Sequence, residues 1–149
     1  MGNPCDPLVL VWHSRGAAVA RWLAWKLKKE LPCLRIKLLV AIDEYWFPNL
    51  WDLFAGTNAL PGGMHDTHSL NGEKHDITPS NVEEEWEFRS DPREAGIFSP
   101  NDYEEDVGEK GSHTKIASLV VPGASHTEVD DVVINDEMIL KKIFRKIGE

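Results

Sequence analysis

The segment Val11-Trp12-His13-Ser14-Arg15-Gly16-Ala17-Ala18 sets a serine between an apolar run and a stretch of helical periodicity. A serine at a sharp strand-to-helix turn, a nucleophile elbow, presents its hydroxyl above the carboxyl end of the strand. The helix N-terminus then faces the oxygen that becomes negative during acyl transfer. The chemistry is nucleophilic attack on a carbonyl, with Ser14 as nucleophile and the Arg15 amide as an oxyanion donor. Gly16 and Ala17 keep the start of the helix small where it packs against the strand it has just left. Asp43 follows a second apolar run, and an acid just past a parallel strand lies at the same carboxyl edge as Ser14. Aspartate also commonly starts turns, so a turn or cap role fits the same position. His126 stands in Val121-Pro122-Gly123-Ala124-Ser125-His126-Thr127-Glu128, between the last strand and the last helix of the pattern.

The elements that must position these residues are legible from periodicity. Leu8 to Trp12 is continuously apolar rather than alternating, which predicts a parallel strand covered on both faces. Ala20, Leu23, Ala24, Leu27 and Leu31 recur at helical spacing with Pro32 just beyond, which predicts a helix from Arg15 to Glu30. Ile36 to Ile42 reads as a second buried strand, so strand, helix and strand form a right-handed parallel crossover. Ile116 to Val121 reads as a third strand, ended by Pro122 and Gly123. The C-terminus reads as an amphipathic helix with Ile139, Leu140, Ile143, Phe144 and Ile147 on one face and Asn135 as N-cap. Its charges, acidic at the start and basic at the end, complement the helix dipole. The fold class is therefore α/β, a small parallel three-layer sheet in one domain, 1–149, with a loop-rich insertion at about 44–115.

Within that insertion, Ser80 and Glu83 form the S-x-x-E capping box of a helix, while Val82, Glu84, Trp86 and Phe88 partly fit strand alternation; both stay open. Residues 83–109 hold 11 acidic side chains against Arg89 and Arg93, a net −9 that equals the charge of the whole chain. The expectation is a solvated acidic surface.

The His13-Ser14-Arg15-Gly16 turn resembles the elbow of the α/β-hydrolase superfamily, in particular its lipase-like and esterase-like members, which reads G-x-S-x-G and often G-H-S-x-G. Trp12 stands where the first glycine of that pattern would be. Ala41-Ile42-Asp43-Glu44 resembles the I-D-P turn of lipase-like hydrolases, with Glu44 in place of the proline, and implies Asp43 as the triad acid. The loop around His126 resembles the family's late histidine loop and implies His126 as the base. The order Ser14, Asp43, His126 is the nucleophile, acid, base order of that superfamily. The resemblance implies a serine hydrolase of carboxylic esters working through an acyl-enzyme, with a small ester or lipid as substrate.

The same resemblance covers only the C-terminal half of the hydrolase fold. A complete fold has strands ahead of the nucleophile strand, and one of their loops supplies a second oxyanion donor. Losing one donor costs ~10²- to 10³-fold in rate, so weak activity is expected. The alternative is a catalytically inactive remnant acting as an interaction module. Three strands leave an exposed edge, which invites a homodimer or a partner chain. Trp46, Phe47, Trp51 and Phe54 fit either core or an apolar acyl pocket; Trp46, Phe47 and His13 are the candidate substrate contacts.

Composition narrows the rest. Sixteen basic against 25 acidic residues, a net charge of −9 and a pI near 5.1 oppose nucleic-acid binding. The longest uncharged apolar runs fall far short of the ~20 residues of a membrane span. Cys5 and Cys33 do not make a disulfide framework, and free thiols are expected. With no signal-peptide pattern at the N-terminus, the expected location is cytoplasmic. His65, His68 and His75, beside Asp66 and Asp76, could make an open zinc site, but their spacing fits no zinc signature. They read as solvent-exposed loop histidines, and neither a metal nor a cofactor is expected.

Overall fold

The run before Ser14 forms β1 (Leu8–His13), and the helical stripe behind it forms α1 (Arg15–Glu30). The structure, a computed structural model, describes residues 5–43, 77–94 and 107–148. After α1 come β2 (Ile36–Ile42), β3 (Ile77–Thr78), β4 (Glu84–Arg89), β5 (Val107–Gly108), β6 (Lys115–Val120), α2 (Val129–Asn135) and α3 (Glu137–Gly148), with a 3-10 turn at Pro92–Glu94. Four strands make one parallel sheet in the order β1-β2-β4-β6; β3 and β5 pair separately, also in parallel. Because every strand of the main sheet points the same way, the segments after β1, β2, β4 and β6 all emerge at one edge.

Side-chain alternation divides the core into two layers around the sheet. Leu38, Val40 and Ile42 of β2 and Phe88 of β4 pack against Val129 and Val133 of α2 and Ile143 of α3. On the opposite face Ile36, Leu39 and Val82 pack against Ala20 and Ala24 of α1. The β1 register is irregular between Leu8 and Val9, pairing them with Ile36 and Leu38 and skipping Lys37. That irregularity lets Ile36 and Leu39 share the α1 face.

Four sequence expectations change. Among the described residues the sheet has four strands rather than three, because Glu84–Arg89, open between helix and strand in the pattern, is a strand between β2 and β6. It lies inside the segment read as loop-rich insertion. β1, at the edge of the sheet among the described residues, is not covered on both faces: Val11 is 44% and Trp12 38% exposed. The N-cap of the last helix is Asp136, whose Oδ1 accepts from the Met138 and Ile139 amides, and Asn135 instead ends α2. Cys5 and Cys33 form a disulfide rather than free thiols, tying the chain ahead of β1 to the turn between α1 and β2 with Cα atoms 5.4 Å apart. Their sequence separation of 28 residues does not reveal that the crossover brings them together, and closing such a loop contributes about 3–4 kcal/mol in the chain-entropy account.

The acidic segment is also not uniformly solvated. Glu85, Glu87 and Asp91 are buried, Glu84 pairs with Lys146, and Glu109 pairs with Lys28. Arg21 of α1 donates to Glu85 Oε1 at 2.8 Å, both side chains nearly fully buried, and the Thr78 hydroxyl donates to Glu85 Oε2. Glu87 lies on the same face, with Arg89 Nε 3.9 Å from its carboxylate. Burial pushes the Glu87 carboxyl above its usual range, against the opposing pull of Ser118, Arg89 and Arg21.

Below the ordinary carboxylate range, Glu87 is protonated in folded and unfolded chains alike. Through the interval up to its raised folded value the folded chain holds the extra proton, so stability falls as pH rises there. Glu87→Gln, neutral throughout, is expected to melt at a higher temperature than the native sequence near pH 8 and at the same temperature near pH 4. Equal melting temperatures near pH 8 would mean that the neighbouring cations and Ser118 compensate the buried anion completely.

Candidate active site

Ser14 follows the last residue of β1 and precedes the first of α1, and its backbone takes φ 57° and ψ −131°. A non-glycine residue held in such a region costs about 1–3 kcal/mol and persists only where the surroundings enforce it. The Ser14 amide donates to the Ile42 carbonyl at 2.8 Å, which continues the β1–β2 ladder through the turn. Its side chain makes no capping bond to α1. The hydroxyl instead meets His126 Nε2 at 3.0 Å.

Asp43 follows β2 in the same manner, with φ 43° and its amide donating to the Phe88 carbonyl at 2.5 Å. Its carboxylate is fully buried. Oδ2 lies 2.5 Å from His126 Nδ1, and Oδ1 accepts from the Ser90 amide at 2.8 Å and the Ser90 hydroxyl at 3.0 Å. An ionised carboxylate only accepts, so the Nδ1 proton of His126 points at Asp43 and Nε2 is left to accept from Ser14. Serine, histidine and aspartate, 112 and 83 residues apart along the chain, thus form one run of hydrogen bonds. An imidazole so held can take a proton from the hydroxyl while its developing charge is balanced by the carboxylate.

The segment after β4 holds the rest of the edge together. The Asp91 amide donates to the Ala124 carbonyl at 2.8 Å, and Asp91 Oδ2 accepts from the Gly123 amide at 2.9 Å. Gly123 has φ 73°, a conformation glycine adopts without the steric cost other residues meet. The Arg93 side chain, the Gly123 amide and the Arg93 amide hold the Asp91 carboxyl well below the usual range. Ser90 therefore fastens the acid, while its neighbour Asp91 fastens the loop that carries the histidine.

Trp12 lies against Gly16: a Cβ added there would stand 3.0 Å from Trp12 Cε3. His13 turns both ring nitrogens toward protein groups, Nε2 to the His126 carbonyl at 3.2 Å and Nδ1 to Asp130 Oδ2 at 3.3 Å. Arg15 is the first residue of α1, so its amide is among the unpaired donors of the helix start. Trp46, Phe47, Trp51, Phe54, His65, His68 and His75 lie outside the described residues. Among the described residues no group of three His, Cys, Asp or Glu side chains is placed to hold a metal ion.

Sequence reasoning brought forward Ser14, Asp43 and His126, which the fold places together, and missed Ser90, Asp91 and Asp130. Ser90 and Asp91 had a usable signal. They directly follow β4, and reading that segment as a parallel strand would have put them at the same carboxyl edge. Asp130, inside a helix, had none.

Ser90→Ala removes one of the two bonds that Ser90 gives the buried carboxylate. Because hydrogen bonds to charged groups are worth about 1.5–3 kcal/mol, the variant is expected to lose stability of that order in urea titration. An unchanged midpoint would show that the hydroxyl contributes nothing to holding Asp43.

No protein family, curated protein or solved structure matches the chain.

Proposed function

We propose that this protein is a serine hydrolase of carboxylic esters, with Ser14 as nucleophile, His126 as general base and acid, and Asp43 as the orienting acid. The observation that carries the reading is the hydrogen-bonded run from Ser14 Oγ through His126 to Asp43 at the carboxyl edge of a parallel sheet. The strand order β1-β2-β4-β6, with the serine after the first strand, the acid after the second and the histidine after the last, supports the resemblance to the C-terminal half of the α/β-hydrolase fold.

In this reading Ser14 Oγ attacks the ester carbonyl while His126 Nε2 takes its proton, and a tetrahedral oxyanion forms. The Arg15 amide at the start of α1 is one donor to that oxygen. Collapse of the intermediate breaks the bond to the alcohol oxygen, which leaves with the proton from His126, and an acyl-serine remains. Water then gives a proton to His126 and its oxygen to the acyl carbon. The carboxylic acid departs as the proton returns to Ser14. Asp43 keeps its charge throughout and steadies the imidazolium. The substrate class is a small ester or a lipid ester. No helix among the described residues is long and apolar enough to cross a membrane. The Cys5–Cys33 bridge is a feature of oxidising compartments and favours such a location over the cytoplasm.

A fluorophosphonate probe labels only serines made nucleophilic by a base. The expected result is one adduct, mapped by mass spectrometry to Ser14, that disappears in Ser14→Ala and His126→Ala. Folded protein that takes no label would overturn the reading.

The open side of β1 favours a second reading, that of a non-catalytic interaction module. Among the described residues β1 pairs only with β2, and Val11 and Trp12 are exposed at that edge. In this reading the edge takes up another chain, and the purified protein is expected to self-associate in light scattering. A monodisperse monomer would count against it.

A further inference from the structure

His13 and Asp130 form a second histidine–aspartate contact directly beside the first. The His13 ring centroid lies 5.3 Å from that of His126. A carbonyl oxygen only accepts, so the 3.2 Å contact fixes a proton on His13 Nε2 that is donated to the backbone oxygen of His126. At the other side of the ring, Asp130 Oδ2 stands 3.3 Å from Nδ1. His13 immediately precedes Ser14 and accepts its constraints from β1, whereas Asp130 sits in the first turn of α2, four residues after His126. One imidazole therefore joins the backbone beside the serine to the backbone of the histidine and to the helix that follows it.

We infer that His13 is a positioning residue that sets the distance between Ser14 and His126. The inference rests on the proposed serine-hydrolase reading, which it deepens by naming what aligns the base. Other bonds in the described structure hold the loop from its two flanks. Asp91 fastens it at Gly123 and Ala124 ahead of His126, and Ser125 accepts from the Glu128 and Val129 amides behind it. Asp43 holds the ring of His126 through Nδ1, but that bond does not itself anchor the backbone that carries the ring. The His13 bond fixes the backbone of His126 itself to the strand that delivers the nucleophile. Both ring nitrogens of His13 face protein groups.

The test compares His13→Ala and His13→Gln with the native chain. The glutamine amide offers an N–H donor at about the reach of Nε2, while alanine offers none. Fluorophosphonate labelling of Ser14 is expected to slow by at least about tenfold in His13→Ala, since small misplacements of reacting groups are costly in rate, and to recover most of the native rate in His13→Gln. Backbone hydrogen exchange gives a readout that needs no activity. The amides of Glu128 and Val129, bonded to the Ser125 carbonyl, should exchange faster in His13→Ala and near the native rate in His13→Gln. Native labelling with a native rate in His13→Ala, or a glutamine variant as slow as alanine, would overturn the inference. If the native chain takes no label the hydrolase reading falls, and the exchange rates alone decide whether His13 holds the loop: unchanged exchange in His13→Ala would reject it.

Discussion

A fully buried carboxylate at Asp43 sets the terms for the whole edge that carries the candidate site. An ionised carboxylate taken out of water is strongly destabilising unless its lone pairs are met, and Asp43 meets them with groups from two other segments. Ser90, after β4, occupies one oxygen, and His126, after β6, occupies the other. Displacing either segment would leave a buried charge short of a partner, so the positions of these loops are not independent. The geometry that brings His126 to Ser14 is thereby fixed by the same interaction that makes the fold tolerate an acid in its interior. Alignment of the site and stability of the sheet edge are one property here, not two.

The α1 face of β4 shows a related constraint. Trp86 and Phe88 point to the α2–α3 layer, whereas Glu85 and Glu87 point to α1. A buried ion pair contributes little net stability against an apolar alternative, because desolvation of both groups offsets their attraction. Its geometric consequence is more definite. α1 packs chiefly over β1 and β2, and Arg21 reaches past them to Glu85 on β4. Since α1 begins at Arg15, this contact fixes how the helix lies over the sheet and hence where its first turn sits relative to Ser14. Glu87, by contrast, sits where burial opposes its charge, a cost carried by the same strand that supplies Ser90 and Asp91.

What could be read from the sequence follows the physics of each segment. β2 and α1 were legible to the residue because an apolar run and a 3.6-residue stripe depend only on local periodicity. β4 was ambiguous because its α1-facing positions are glutamates, and the burial of Glu85 depends on groups outside the strand, Arg21 in the distant α1 and Thr78 in β3. The same long-range dependence hid the burial of Glu85, Glu87 and Asp91 behind an acidic composition. The exposure of Val11 and Trp12 on β1 was hidden because continuous apolarity reports a strand but not how fully its faces are covered. The disulfide was missed because two cysteines reveal proximity only once the crossover is built. For the site, Ser14, Asp43 and His126 were visible because each follows a strand that periodicity locates. Ser90 and Asp91 were hidden only because their strand was.

The elbow bears the one departure from the pattern it resembles, and the structure gives a physical account of it. A turn that holds Ser14 at φ 57° brings the end of β1 and the start of α1 close together, so a small residue is needed where they meet. In the G-x-S-x-G pattern two glycines share that requirement. Here Trp12 replaces the first, and its ring lies over Gly16, where even a methyl group would approach within 3.0 Å. The demand for a missing side chain thus falls on Gly16. Trp12 occupies the exposed edge of β1, where no neighbouring strand limits its size among the described residues. The hydroxyl of Ser14 is left out of the helix cap and directed to His126, which is the outcome the strained turn serves in the pattern it resembles. Bulk at position 12 and the elbow are therefore compatible with glycine at position 16, and a side chain there would require the Trp12 ring to give way by a few tenths of an ångström.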